Sequence, residues 1–450
     1  MKRVFRITIC ILLIAVLSCG LFSCAKKDKT NTEKEAPTVI APSDGDEKVD
    51  RSERFDLTNR VLQFIEENYY DDIDYDDADV YAAYGLVASL GRFNYINPIT
   101  DFLASGTDGK GFGLLVRNTK YNEHLIDFIL EGSPFSEPYE GMKVQRGDEL
   151  YAIEGERVSG LDSSTYASYI ARLPSDKDVS FQIKRGDEFF TVKYRKIQFH
   201  FPSCFYINDL PGNVPKDLGY ICLRTFDSST NVVEEFQQAV KSYLEDGNKA
   251  LILDLRGNGG GSSLVFRSIA SALIGENAKA GETLVEVHYA KQDYSTYLKS
   301  EKVEYKVNTP IYVLCDGNTA SASEALIGTM KAHGTLTALI GQKTLGKGVA
   351  QNGFTQLNEK DPGYIIDKIQ NDSGETVDDL AYLLQVVIGK YYIYDSSTEG
   401  GKYCMHENPF VPDVVVEGDN VIDPDYGKDL FIHATIENYN GNKTTKGGKI

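Results

Sequence analysis

The run Lys249-Ala-Leu-Ile-Leu-Asp-Leu255 is apolar at nearly every position. A strand with one wet face would alternate, so this pattern predicts burial on both faces, as in a parallel sheet covered by helices. The neighbouring segments agree. Residues 218–224, 311–315 and 336–340 read as strands, and 231–245, 263–274 and 321–333 as helices. Such alternation predicts an α/β core over 199–440. Residues 383–394 add a strand or a pair. A last helix is expected over about 425–439, before a polar, disordered tail at 441–450.

At 450 residues the chain exceeds one ordinary domain. Segment 53–108 reads as helical, with Leu57, Val61 and Ile65 four apart and a second set at Val80, Tyr84, Val87 and Leu90. Between them, Asp72, Asp74 and Asp76 fit the start of a calcium loop. Asp77 stands where that loop needs Gly and Ala83 where it needs Glu, so the run reads as a solvated loop. Segment 109–198 switches to short strands with turns at Gly147-Asp148 and Glu154-Gly155, and one helix near 164–173. The net charge of −19, from 47 basic and 66 acidic residues, and the absence of any dense basic stretch argue against nucleic acid as a partner.

The N-terminus reads as an export signal. Lys2, Arg3 and Arg6 precede an apolar run from Ile7 to about Leu17, short for a membrane span. Residues 24–52, polar and rich in Lys, Glu, Thr and Pro, read as a disordered tether. Cys204, Cys222, Cys315 and Cys404 are widely spaced and form no C-x-x-C pair, so no disulfide can be assigned. His406, near Cys404, is read as incidental, and no metal or cofactor is expected.

Two segments carry chemistry. In Asn318-Thr-Ala-Ser321-Ala-Ser-Glu324 a serine stands where a strand and turn give way to a helix, whose N–H groups favour developing negative charge. Ser321-x-x-Glu324 equally fits a capping box, which needs no catalysis. Gly341-x-x-x-x-Gly346-Lys347 imitates a phosphate loop, but Gly348 replaces the Ser or Thr that would meet magnesium and no helix follows. Gly257-Asn-Gly-Gly-Gly261 lacks the third glycine of a dinucleotide fingerprint. It is either a conformational turn or a source of backbone N–H groups for an oxyanion.

Taken in order, Leu-Asp-Leu-Arg-Gly-Asn-Gly-Gly-Gly, Ser-Ala-Ser-Glu, Gly-Lys-Gly-x-x-Gln and Val411-Pro-Asp-Val-Val resemble the carboxyl-terminal processing (tail-specific) serine proteases over about 53–440. Gly111-Phe112-Gly113 and Arg146-Gly-Asp-Glu-Leu150 resemble signatures of a PDZ domain, whose Gly-Phe-Gly loop holds a peptide's terminal carboxylate. Leu21-Phe-Ser-Cys24 resembles the bacterial lipoprotein box, which makes 1–23 a signal peptide and Cys24 the lipidated residue. The resemblance implies a ClpP/crotonase-like α/β protease core with an inserted PDZ domain and an N-terminal helical segment. It implies Ser321 as nucleophile, Lys347 as general base and Gln351 as the residue orienting the lysine. Gly259 and the N–H of Ala322 are the implied oxyanion donors. Thr319 departs from the family's usual Ser, the interval from Ser321 to Lys347 is one residue longer than usual, and 352–380 reads as an insertion.

Such a dyad is demanding, because a lysine accepts a proton only when neutral and its ordinary pKa is about 10.4. Burial must lower it by several units, and a neutral Gln partner avoids adding a charge that would raise it. The expectation is an exported, membrane-tethered serine endopeptidase acting on proteins with free C-termini, in the periplasm or outside the cell. The competing readings are a non-catalytic peptide-binding lipoprotein on the same scaffold, and an esterase or amidase.

Overall fold

The computed structural model describes residues 55–447 except 70–72, 74, 99–109, 120, 277, 292, 355–365, 371–375, 396–397 and 419–421. The signal peptide, Cys24 and the tether lie outside the described residues, as do parts of the acidic loop and of the 352–380 insertion. Contacts divide the described chain into two units, one of 106–349 with 389–450 and one of 55–105 with 350–388.

The first unit is built on a six-stranded sheet in the order Cys204–Ile207, Leu218–Leu223, Ala250–Asp254, Ile311–Cys315, Leu336–Gly341, Val414–Val415. The first pair is antiparallel and the other four are parallel. Strands Leu218–Leu223, Ala250–Asp254 and Ile311–Cys315 are buried at every residue, which their unbroken apolar runs predict. Alternate side chains serve opposite cores. Ile221, Leu251, Leu253 and Val313 pack with helices Val232–Glu245, Ser263–Leu273 and Ala322–Ala332. Tyr220, Ile252, Tyr312 and Leu314 pack with Phe431, Ile432 and Tyr439 of helix Leu430–Gly447. Each such side chain contributes roughly 1.5–3 kcal/mol by leaving water. The last helix starts later than expected and runs into the segment read as a disordered tail. Its first turns are pinned in the core, and an anchored helix extends through polar residues at little cost.

Segment 109–198 forms a second sheet of this unit. Its antiparallel order is Leu114–Asn118, His124–Ile129, Glu149–Ile153, Val179–Arg185, Glu188–Tyr194, with Glu156–Arg157 paired to the third strand. Tyr166, Tyr169 and Ile170 of helix Ser163–Arg172 pack on its core of Ile126, Phe135, Phe181 and Ile183. A buried ionic cluster ties this sheet to the larger one. Arg117 meets Asp127 and Asp254, Arg146 meets Asp127 and Asp429, and Arg256 meets Asp254 and Asp429. The Tyr220 hydroxyl adds a 2.6 Å bond to Asp254.

A hairpin of Thr283–Tyr289 and Tyr294–Lys299 completes the first unit. Its first strand pairs with 390–393 at the end of strand Thr376–Tyr394, and that end also pairs with Lys402–Cys404. The region read as a strand or a pair is thus one long strand. All four cysteines that follow Cys24 are free thiols.

The second unit holds helices Asp56–Asn68 and Tyr75–Ala88 and strand Tyr95–Pro98, which pairs antiparallel with 382–385. Strand Ile366–Gln370 pairs with 376–381. Its small core gathers Val87, Ile96 and Tyr382. The stripe of Leu57, Val61 and Ile65 is a helix as expected, yet that helix buries none of its residues. Among the described residues, no helix is long and apolar enough to cross a membrane.

Candidate active site

Strand Ile311–Cys315 ends at Asp316, whose carboxylate gathers three backbone N–H groups: Asn318 at 3.0 Å, Thr319 at 3.1 Å and Gly257 at 3.0 Å. The buried Thr319 hydroxyl donates to the Leu255 carbonyl at 2.9 Å. The turn that delivers Ser321 is thereby fixed to the glycine-rich turn after the central strand. Thr319, the departure noted in the motif, supplies one of those ties.

Ser321 caps helix Ala322–Ala332 with φ 58° and ψ −117°. An ordinary capping residue sits in the extended region. A β-carbon-bearing residue at positive φ is strained, and such strain gathers at functional sites. The capping reading therefore accounts for Glu324 better than for the serine. Glu324 is fully buried and accepts from the Ser321 N–H at 3.0 Å. The same carboxylate accepts from the N–H groups of Lys347 at 2.8 Å and Gly346 at 2.7 Å, and from the Thr344 hydroxyl at 2.6 Å. One side chain thus holds the backbone at both halves of the expected dyad. Burial raises the Glu324 pKa, and these four hydrogen bonds oppose the rise.

Lys347 is 7 % exposed. Burial lowers its pKa to about 8, against a smaller upward pull from Glu324. A lysine so placed holds a useful fraction of neutral amine near physiological pH.

The glycine-rich turn lies directly against the serine. A β-carbon on Gly260, where φ is +97°, would stand 2.7 Å from the Ala322 nitrogen and 2.8 Å from the Ser321 β-carbon. Asn258 shapes this turn from within. Its amide donates to the Leu223 carbonyl at 2.8 Å and accepts from the Gly260 N–H at 3.0 Å, while its carbonyl receives the Ala320 N–H and the Ser323 hydroxyl. The Gly260 N–H is therefore engaged. Neither the Gly259 nor the Ala322 N–H makes a hydrogen bond among the described residues.

Ser321, Lys347, Gly259 and Ala322 all lie in the first unit. Gln351 falls in the second, where its amide donates to the Phe93 carbonyl at 2.5 Å. Gly111, Phe112 and Gly113 precede the edge strand Leu114–Asn118. The Phe112 ring is buried against Phe181, and Gly113 adopts φ +80° where a β-carbon would meet Ser133. That edge strand pairs on one side with His124–Ile129 and on the other with no described strand. Among the described residues, no group of three or more His, Cys, Asp or Glu could hold a metal ion. Sequence reasoning missed Asn258, Asp316 and Thr344, whose ties join segments distant in the chain.

The model of Peptidase family S41 matches residues 217–414, which hold the four central strands of the larger sheet, the serine and the lysine. The chain is 24% identical over 347 residues to the carboxy-terminal processing protease CtpB of Bacillus subtilis, covering 72% of this chain and 64% of CtpB. It is 27% identical to CtpA of the same organism, covering 78% of this chain and 70% of CtpA. The chain thus spans less than two thirds of the CtpB length. A solved structure described as an S41 protease from Bacteroides fragilis matches with TM-score 0.51 at 16% identity, covering 83% of this chain and 91% of that one. That likeness is one of fold. The similarity to Peptidase family S41 is confined to residues 217–414. Over about seven tenths of its length the chain is similar to these carboxy-terminal processing proteases.

Proposed function

We propose that this protein is an exported, membrane-tethered serine endopeptidase of the C-terminal processing type. The observation that carries the reading is the single buried carboxylate of Glu324, which binds the backbone of both Ser321 and a dry, low-pKa lysine. In the mechanism, the neutral Lys347 amine takes the Ser321 proton as the oxygen attacks the peptide carbonyl. The resulting oxyanion accepts hydrogen bonds from Gly259 and Ala322. Lys347 then returns the proton to the leaving amine, and water releases the acyl group by the reverse path. Gln351 is assigned by motif spacing to orient the lysine without adding charge. Segment 109–198 acts as a PDZ domain, taking a substrate's C-terminus as an added strand on Leu114–Asn118 with its carboxylate at Gly111-Phe112-Gly113. Cys24 carries the lipid that holds the protein to a membrane, facing the periplasm or outside.

The test is cleavage of an unfolded protein by the full chain in detergent, beside its Ser321→Ala and Lys347→Ala variants. Loss of cleavage in both supports the dyad, and retained cleavage by Ser321→Ala sinks the assignment. Cys24→Ala is expected to move the protein from the membrane to the soluble fraction.

A further inference from the structure

The chain around Lys347 is held from two sides, and Glu324 is only one of them. The second is the turn 403–410. The Glu407 N–H donates to the Gly346 carbonyl at 3.0 Å, and Pro409 lies against Gly346. Gly348 abuts the backbone of His406 so closely that a β-carbon there would stand 2.2 Å from the His406 nitrogen. Thr344 and Phe410 exchange hydrogen bonds, N–H to carbonyl at 3.1 Å and N–H to hydroxyl at 2.9 Å. Both ends of the turn are anchored, with Met405 and Phe410 buried in the main core. Gly328, on the helix that Ser321 caps, leaves the space that the Ile393 side chain and the Phe410 ring fill. The turn is braced internally. The Tyr403 hydroxyl donates to the Asn408 carbonyl at 2.7 Å, and the Asn408 amide donates to the carbonyls of Cys404 at 3.1 Å and His406 at 3.3 Å.

We infer that the turn 403–410 is a strap that shuts water away from Lys347, and that Asn408 is a positioning residue acting through it. The inference rests on the reading of Lys347 as general base. Exclusion of water is what favours the neutral amine at Lys347. The glycines on either side of it have no side chains to do that, so a covering segment must. The strap lies on the glycines because they are glycines, which gives Gly348 a role beyond conformational freedom. The titratable side chains on the two elements that bracket Lys347 are Glu324 and, in the last turn, Lys331 on the helix, and Tyr403, Cys404, His406 and Glu407 on the strap.

The experiment is the pH dependence of Lys347 acetylation by acetic anhydride, read by mass spectrometry, in the full chain and in its Asn408→Ala and Tyr403→Phe variants. It reads the amine directly, so it gives an answer whether or not the protein cleaves anything. Asn408→Ala is expected to move the Lys347 titration upward by about one unit, and so to lower cleavage about tenfold at pH 7 with recovery at higher pH. Tyr403→Phe, the milder change, is expected to shift it in the same direction and keeps the test open should Asn408→Ala not fold. An unchanged titration in both variants overturns the strap. So does a fall in cleavage that is uniform across pH. An upward shift in a protein whose parent cleaves nothing leaves the strap standing and removes the peptidase reading instead.

Discussion

The Glu324 carboxylate receives the Lys347 N–H at 2.8 Å and, through the same oxygen, the Ser321 N–H at 3.0 Å. The carboxylate is therefore a fixed point from which the backbone at both ends of the proposed dyad is held. In Glu324→Gln one acceptor becomes a donor facing other donors. Stability is expected to fall by about 1–3 kcal/mol, the usual cost of buried polar groups left unpaired. Loss of the negative charge also removes the upward pull on Lys347. The acid limb of the pH–rate profile should then move to lower pH while its plateau drops. A plateau that drops without movement of the limb would count against an electrostatic link between the two.

Lys347 makes a second prediction about pH, this time for stability. Its pKa is lowered to about 8 when folded, against an ordinary 10.5. Between those values the unfolded chain binds more protons than the folded one, so stability rises with pH across that window. A shift of that size corresponds to roughly 3 kcal/mol. Lys347→Met should abolish the rise and make the protein more stable at pH 7. Urea denaturation of both proteins at pH 7 and pH 10 reads the difference.

Gly260→Ala is expected to reduce kcat/KM by about 10²-fold or more, because a β-carbon there must push the Ser321 turn away. Gly257→Ala serves as the comparison. It also sits at positive φ, +75°, but a β-carbon there meets nothing within 4 Å. It should cost about 1 kcal/mol of stability and spare most of the activity. Equal losses in the two variants would mean that backbone strain, not displacement of the serine, is at work.

Asp254 tests the ionic cluster. Burial pushes its carboxyl upward, and the Arg256 and Arg117 guanidiniums more than reverse this, holding it below the usual carboxylate range. The stability it contributes is present above the ordinary aspartate pKa near 3.9 and is lost as pH falls below it. Asp254→Asn leaves two buried arginines short of a counter-charge and is expected to cost about 3–5 kcal/mol at neutral pH. It should also flatten the acid limb of the stability profile. A cost under about 1 kcal/mol would show that water reaches the cluster.

The core strands were legible because burial on both faces leaves an unbroken apolar run, which Ala250–Asp254 and Ile311–Cys315 display. Ser321 and Lys347 were legible as motifs. The group that relates them was read as half of a capping box, since Ser321-x-x-Glu324 is a local pattern and the bonds from Glu324 to Thr344, Gly346 and Lys347 are not. The turn 403–410 was invisible for the same reason, and its traces in the sequence were an unassigned cysteine, Cys404, and a histidine read as incidental. Helix Asp56–Asn68 shows the opposite limit. Periodicity announced its apolar stripe, but a stripe does not name what covers it, and in this chain it is exposed.

The ionic cluster of Arg117, Arg146, Arg256, Asp127, Asp254 and Asp429 constrains how such a sequence can change over time. Its members come from segments far apart in the chain, yet a change in one strands a charge held by the others. A single replacement at any of these positions is therefore expected to weaken the fold unless its partner changes with it. An exchange of segment 109–198 for its counterpart from another protein would meet the same barrier. The incoming piece would have to bring arginines to meet Asp254 and Asp429, or arrive together with a new larger sheet.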